Sequence, residues 1–174
     1  MRTLRIVLLS VLVVAAWQGV AEAQGRPFGL GIQLGSPTGL TAKWYLGGRP
    51  FALQFGLGVI PGGWRDDDDG VQIHTDVIWH PVVLARDPAF TLPLYFGVGG
   101  RILFEDDDGR DDDDTRVGVR VPVGILMDFN RVPIDIFFEF ALVVDVLYIE
   151  DDDFDDDNHD LIDFNATIGV RYYF

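Results

Sequence analysis

With 174 residues, no cysteine and a formal net charge of −15, the chain has room for one domain and for neither a disulfide, a thiolate metal site nor an acylated-cysteine anchor. Its acidity excludes nucleic acid as a fitting partner, because neutralising phosphates takes a surplus of Lys and Arg. Twenty of the 28 acids fall in three short segments, Asp66–Asp69, Glu105–Asp114 and Glu150–Asp160, and the rest of the chain is apolar, glycine-rich and aromatic.

Arg2 and Arg5 precede an apolar stretch from Ile6 to Trp17 and a small-x-small site, Ala21-Glu22-Ala23. This pattern predicts a secretory signal peptide over residues 1–23, cut before Gln24, and a mature domain over residues 24–174 that works outside the cytoplasm. The apolar stretch is short for a spanning helix. Without residues 1–23 the chain holds 11 basic and 27 acidic side chains, a net charge of 11 − 27 = −16.

From Phe28 onward the hydropathy alternates with period two, which assigns successive side chains to opposite faces of β-strands. The first strand sets Phe28, Leu30, Ile32 and Leu34 against Gly29, Gly31, Gln33 and Gly35, and Ser36-Pro37-Thr38-Gly39 reads as a tight turn. The second sets Leu40, Ala42, Trp44 and Leu46 against Thr41, Lys43 and Tyr45 and ends at Gly47-Gly48-Arg49-Pro50. The third runs from Phe51 to Val59 before Pro61-Gly62-Gly63 and the first Asp run.

The fourth places Val71, Ile73, Thr75, Val77 and Trp79 on one face and Gln72, His74, Asp76 and His80 on the other, ahead of a proline-bearing turn between Arg86 and Pro93. The fifth sets Leu94, Phe96, Val98, Ile102 and Phe104 against Tyr95, Gly97, Gly99, Arg101 and Glu105. The sixth, with Val117 to Phe129 apolar at every second residue, opposes Arg116, Gly118, Arg120, Gly124 and Asp128 and turns at Asn130-Arg131-Val132-Pro133. The seventh, Ile134 to Ile149, opposes Asp135, Glu139 and Asp145 to Ile136, Phe138, Phe140, Leu142, Val144 and Val146.

In the last stretch, Ile162, Phe164, Ala166, Ile168, Val170, Tyr172 and Phe174 alternate with Asp163, Asn165, Thr167, Gly169, Arg171 and Tyr173. An uncharged apolar face opposite a face of Asp, Asn, Thr and Arg fits a strand that is apolar outside and polar inside. Such strands must close on one another, since an open sheet edge in lipid leaves backbone groups unpaired. The fold expected is therefore all-β, an eight-stranded antiparallel up-and-down transmembrane β-barrel. Strand parity puts the three acidic runs at one end, as extracellular loops, and the short turns near Gly47, Asp87 and Arg131 at the periplasmic end. Trp44, Tyr45, Trp79, Tyr95 and Phe129 would gather at the turn end and Trp64, Phe104 and Tyr148 at the loop end, as interfacial belts.

Gly35-Ser36-Pro37-Thr38-Gly39-Leu40, Asp76-Val77-Ile78-Trp79-His80, Leu92-Pro93-Leu94-Tyr95-Phe96-Gly97-Val98-Gly99-Gly100-Arg101, Gly118-Val119-Arg120-Val121-Pro122-Val123-Gly124 and Gly169-Val170-Arg171-Tyr172-Tyr173-Phe174 together resemble a family of short OmpA-like outer-membrane β-barrels without an established common activity. The resemblance covers nearly all of residues 24–174. It implies the barrel fold and location in a Gram-negative outer membrane among lipid and lipopolysaccharide. The terminal aromatic after an amphipathic strand resembles the C-terminal signature of such barrels, which implies the barrel-assembly machinery as a partner.

Three chemistries can be weighed. The inward charges, Lys43, Arg101, Arg116, Arg120 and Arg171 against Asp76, Glu105, Asp128, Glu139 and Asp163, suit a buried ionic plug better than a channel, because eight strands leave only enough room for side chains. His74 and Asp76 share a face and could serve as a base with its orienting carboxylate, but the only serine after residue 23 is Ser36, in a turn, so no nucleophile is at hand and no enzyme is expected. The Asp runs, Asp66, Asp67, Asp68 and Asp69, then Asp106, Asp107, Asp108, Asp111, Asp112, Asp113 and Asp114, then Asp151, Asp152, Asp153, Asp155, Asp156 and Asp157, offer hard oxygen ligands for weak Ca²⁺ or Mg²⁺ binding, against the plainer reading of solvated acidic loops. They do not follow EF-hand order. The function expected is that of a small outer-membrane barrel with a structural or surface-interaction role, the alternatives being a narrow pore and a lipid-modifying enzyme.

Overall fold

The computed structural model describes residues 26–47, 50–60, 69–106, 113–149 and 161–174, with the backbone alone of residues 69, 105–106, 113–114 and 148–149. Residues 1–23, expected as a signal peptide, lie outside the described residues, as do the side chains of all the Asp-run positions.

Eight strands follow one another: β1 (Phe28–Gly35), β2 (Thr38–Tyr45), β3 (Phe51–Ile60), β4 (Asp69–Arg86), β5 (Phe90–Asp106), β6 (Asp113–Phe129), β7 (Ile134–Ile149) and β8 (Ile162–Tyr173). Each pairs antiparallel with its neighbours and β8 pairs with β1, closing a barrel. Closure removes both sheet edges, which the apolar outer face requires. Antiparallel succession places the connectors after β1, β3, β5 and β7 at one end, the loop end, and those after β2, β4 and β6 at the other, the turn end.

The width follows from the register. Stepping across paired residues from Gly29 through Lys43, Gln54, Asp76, Gly99, Arg120 and Val143 reaches Asp163, ten residues from Tyr173, with which Gly29 itself pairs. A stagger of that size over eight strands, with a rise of about 3.4 Å per residue and about 4.8 Å between strands, sets a tilt of about 41° and a backbone radius of about 8 Å. Side chains from opposite walls of so narrow a cylinder meet at its axis.

The surface is inverted relative to a water-soluble core. Among the described residues, 15 polar or charged side chains are buried against nine apolar ones, and large apolar residues cover the outside on every strand. Period two accounts for this on β3, where Ala52, Gln54 and Gly56 are buried between exposed Phe51, Phe55 and Leu57. Outer aromatics cluster at the turn end: Phe51 stacks on Trp79 at 6.3 Å, Trp79 meets Phe96 edge-on at 5.2 Å, and Tyr172 meets Phe174 at 5.1 Å. Tyr45 and Tyr95, expected in that belt, point into the lumen instead, because they share the inward parity of Lys43 and Gly97.

Two turns differ from the expected ones. The first hairpin turns on Ser36 and Pro37 alone; Thr38 and Gly39 already belong to β2, with Thr38 Oγ1 donating to the Gly35 carbonyl at 2.8 Å and accepting from its N–H at 3.0 Å. Gly35 has φ +122°, a conformation that a side chain resists and glycine adopts freely. The turn after β4 is only Asp87-Pro88-Ala89, so β5 begins at Phe90 and Pro93 lies within it. Register shifts between Trp79 and Val82 and between Val83 and Ala85 absorb Pro81, and the pairing of β5 with β6 skips from Thr91 to Leu94 around Pro93, which has no N–H to give. In β7 a further shift, opposite Val117 and Gly118 of β6, turns both Val146 and Leu147 outward.

Candidate functional site

Among the described residues the lumen is where the fold gathers polar and charged side chains, and it is layered along the axis. At the turn end Ala52, Ile78, Tyr95, Leu126 and Phe137 form an apolar cluster, with Tyr45 packed against it. Beside it His80 Nε2 lies 2.9 Å from Lys43 Nζ, its Nδ1 lies 2.9 Å from the Pro50 carbonyl, and its ring is 5.6 Å from that of Tyr45 and 5.7 Å from that of Tyr95. An ammonium can only donate, so Nε2 accepts and Nδ1–H donates to Pro50. His80 thereby ties β4 to Lys43 of β2 and to the Pro50 carbonyl.

The middle layer is ionic. Glu139 is the hub: it accepts from Arg120 Nη2 at 2.6 Å, Gln54 Nε2 at 2.6 Å and the Tyr95 hydroxyl at 2.8 Å. Arg120 Nη1 also binds Asp76 Oδ2. Toward the turn end Arg171 donates from Nε to Asp135 Oδ1 and from Nη1 to Gln54 Oε1, each at 3.0 Å, and its guanidinium lies 4.1 Å over the Phe137 ring. Toward the loop end Arg101 holds Asp145 through Nε at 3.3 Å and Nη2 at 2.8 Å, and Asp163 through Nη1. Arg120, Arg171, Asp76, Asp135 and Glu139 are all sealed from solvent, so each charge depends on its partners.

Glycine makes room for these groups. A Cβ on Gly29 would lie 2.8 Å from the Tyr173 ring, and Cβ atoms on Gly56, Gly124 and Gly169 would strike the rings of His74, Tyr95 and Phe137. In each case a large inward side chain lies flat on the glycine of the adjacent strand.

At the loop end Ser36 Oγ accepts from Asn165 Nδ2 at 3.3 Å, Asn165 Oδ1 accepts from Gln72 Nε2 at 3.4 Å, and Gln72 Nε2 lies 3.2 Å from His74 Nδ1. His74 Nε2 is 4.0 Å from Asp76 Oδ2. The histidine and aspartate do come together, but Ser36 reaches His74 only through two amides, and His74 is 2 % exposed. That is not the direct nucleophile-to-base contact that acyl transfer needs.

The expected ionic plug is present with partly different partners. Arg101, Arg120, Asp76, Glu139 and Asp163 pair as inward groups, whereas Arg171 pairs with Asp135 and Arg101 with Asp145, two carboxylates whose inward parity was legible but whose partners were not. The Glu105 side chain lies outside the described residues. The apolar turn-end cluster was not anticipated; the inward parity of Ile78, Leu126 and Phe137 on their strands was the signal that could have shown it. Among the described residues no group of three or more His, Asp or Glu side chains is arranged to hold a metal ion, and the Asp runs fall outside them. Comparison with protein-family models, curated proteins and solved structures gave no match to this chain.

Proposed function

We propose that the chain is a small outer-membrane β-barrel, of the OmpA-like kind that its strand motifs resemble, with a structural or surface-interaction role carried by its loop end. The observation behind this reading is the inversion of the barrel: apolar side chains outside on all eight strands and a paired ionic interior. Burying that outer face in hydrocarbon relieves its contact with water, and backbone pairing around the closed sheet is what lipid demands. The tilt near 41° lies in the range of about 35–45° seen in such barrels. A filled lumen leaves the two rims as the surfaces through which the molecule meets anything besides lipid.

The acidic runs span the connectors after β3, β5 and β7, all at the loop end, and reach into the ends of β4, β5 and β6 at Asp69, Glu105 and Asp106, and Asp113 and Asp114. In the proposed orientation they are extracellular, and their density of like charge favours Ca²⁺ or Mg²⁺, bound at roughly 10⁻⁴ to 10⁻³ M, with bridges to anionic lipopolysaccharide as the use. Phe174, whose N–H donates to the Phe28 carbonyl at 2.9 Å, stands at the end of the closing strand that would engage the assembly machinery.

The membrane reading is tested by refolding the chain over residues 24–174, with Trp64→Phe, into vesicles containing brominated lipid. Trp44 and Trp79, 48 % and 40 % exposed on the outer face, should be quenched by the lipid and shielded from a water-soluble quencher. Quenching from water alone would refute the placement. Calorimetry with Ca²⁺ on the same preparation, against a variant with Ser and Asn in place of the Asp runs, tests the loop role; equal heats would leave the runs as solvated loops.

A further inference from the structure

Among the described residues, one chain of hydrogen bonds runs along the lumen with a single gap, apart from the Arg101 and Lys43 groups. From the loop end it passes Ser36, Asn165, Gln72 and His74; from Asp76 it continues through Arg120, Glu139, Gln54, Arg171 and Asp135 to the Tyr173 hydroxyl. Between His74 Nε2 and Asp76 Oδ2 there are 4.0 Å, too far for a direct hydrogen bond.

Among the described residues, and apart from Arg171 Nη2 toward the turn end, the buried side-chain atoms that lack a protein partner belong to residues around that gap. They include His74 Nε2, Asp76 Oδ1, Thr41 Oγ1 and Arg120 Nε. Register brings them together. Thr41 and His74 are the inward neighbours of Gly56 on either side, and Asp76 follows His74 on the same face of β4. Asp76 Oδ1 lies against Gly99, which pairs with both Asp76 and Arg120 and whose missing side chain leaves the place that this oxygen takes.

We propose that an ordered water molecule binds in this gap, bridging His74 Nε2 to Asp76, with Thr41 Oγ1 as its third partner. The mixture of donors and acceptors selects water over other occupants. Gln72 Nε2 donates to His74 Nδ1, which leaves Nε2 to carry the ring proton as a donor. Arg120 Nε is a second donor and Asp76 Oδ1 an acceptor, so a cation would face a guanidinium and an anion a carboxylate. Water both donates and accepts, and buried waters ordinarily make about three such bonds. With it in place the chain of hydrogen bonds is continuous from Ser36 to Tyr173, and His74 and Asp76 act as water ligands rather than as a catalytic pair.

The test uses the chain over residues 24–174 refolded in micelles and labelled with ¹⁵N-histidine. Rotating-frame cross-peaks between water and the ring protons are expected at His74 and not at His80, whose two nitrogens are held by Lys43 and Pro50. Thr41→Val, close to isosteric, should weaken the His74 cross-peak while the spectrum stays folded. A crystal structure that resolves ordered water should place a peak about 2.7–3.2 Å from His74 Nε2 and an Asp76 oxygen. Absence of the cross-peak at His74 in the unmodified protein, or a direct His74–Asp76 hydrogen bond in the crystal, would overturn the assignment.

Discussion

Removing the carboxylate of Glu139 is the sharpest probe of what holds the barrel closed. The side chain is 1 % exposed and accepts from Arg120, Gln54 and Tyr95, three residues on three other strands. In Glu139→Ala, Arg120 keeps only Asp76, and Gln54 Nε2 and the Tyr95 hydroxyl lose their acceptor inside a buried layer. Breaking a buried pair in this way costs about 3 to 5 kcal/mol, most of it from the charge left behind rather than from the lost contact. Glu139→Gln keeps the shape and an acceptor oxygen while giving up the charge, so its loss should be smaller, about 1 to 3 kcal/mol. Urea unfolding of the refolded proteins in micelles, followed by tryptophan fluorescence and by heat-modifiable migration on gels, measures both. An alanine variant within about 0.5 kcal/mol of the unmodified protein, the range of a surface substitution, would refute the view that Glu139 is the hub.

The glycine contacts make a paired prediction. Gly124→Ala pushes a methyl into Tyr95 and toward the Phe138 carbonyl, 2.7 Å away, and should cost about 1 to 3 kcal/mol by overpacking, whereas Gly100→Ala, whose nearest neighbour is the Gly118 carbonyl at 3.6 Å, should leave the same unfolding curve unmoved. Deleting Phe174 removes both the hydrogen bond to Phe28 and the ring packed on Tyr172, so the yield of folded, heat-modifiable protein in the membrane should fall while export is unchanged; equal yields would reduce Phe174 to an interfacial anchor.

Period two made the strands and their faces legible, since a one-residue slip would put Arg120 or Glu139 on the apolar outside. Strand ends were legible where Asn130-Arg131-Val132-Pro133 interrupts the alternation, and not at the start of β5, where Pro93 read as the end of a turn yet sits inside a long strand at a pairing irregularity, as Pro81 does in β4. Partners across the lumen were the hidden part. Gln54 and Glu139 are 85 residues apart and Gln72 and Asn165 are 93 apart, and which inward groups meet depends on the ten-residue stagger, a property of the closed barrel that no single strand carries. The alternation showed that Asp135 and Asp145 face inward; only closure brings them to Arg171 and Arg101. The same limit applies to His74 and Asp76, whose shared face suggested catalysis. The fold seals them with amides above and a guanidinium below.

Among the described residues two layers lie in series along the lumen, and both should oppose permeation. At the turn end Phe137, Leu126, Ile78 and Tyr95 close the lumen with apolar and aromatic groups, and an ion crossing there would shed its hydration without ligands to replace it. Above them Arg120, Arg171, Glu139, Asp135 and Asp76 span the lumen as paired charges, each already held and none free to pass an ion along. A cylinder of about 8 Å backbone radius has no second route around side chains of that length. The unmodified protein should therefore show no unitary conductance in planar bilayers. Phe137→Ala opens only the lower barrier, so it too should stay silent while losing about 3 to 5 kcal/mol of stability through the cavity it leaves. Current should follow only when the ionic layer is also cut, as in Phe137→Ala with Glu139→Ala, and then as brief openings of a weakened barrel. Reproducible conductance steps from the unmodified protein would refute the plug, and steps from Phe137→Ala alone would show that the ionic layer is not a barrier in its own right.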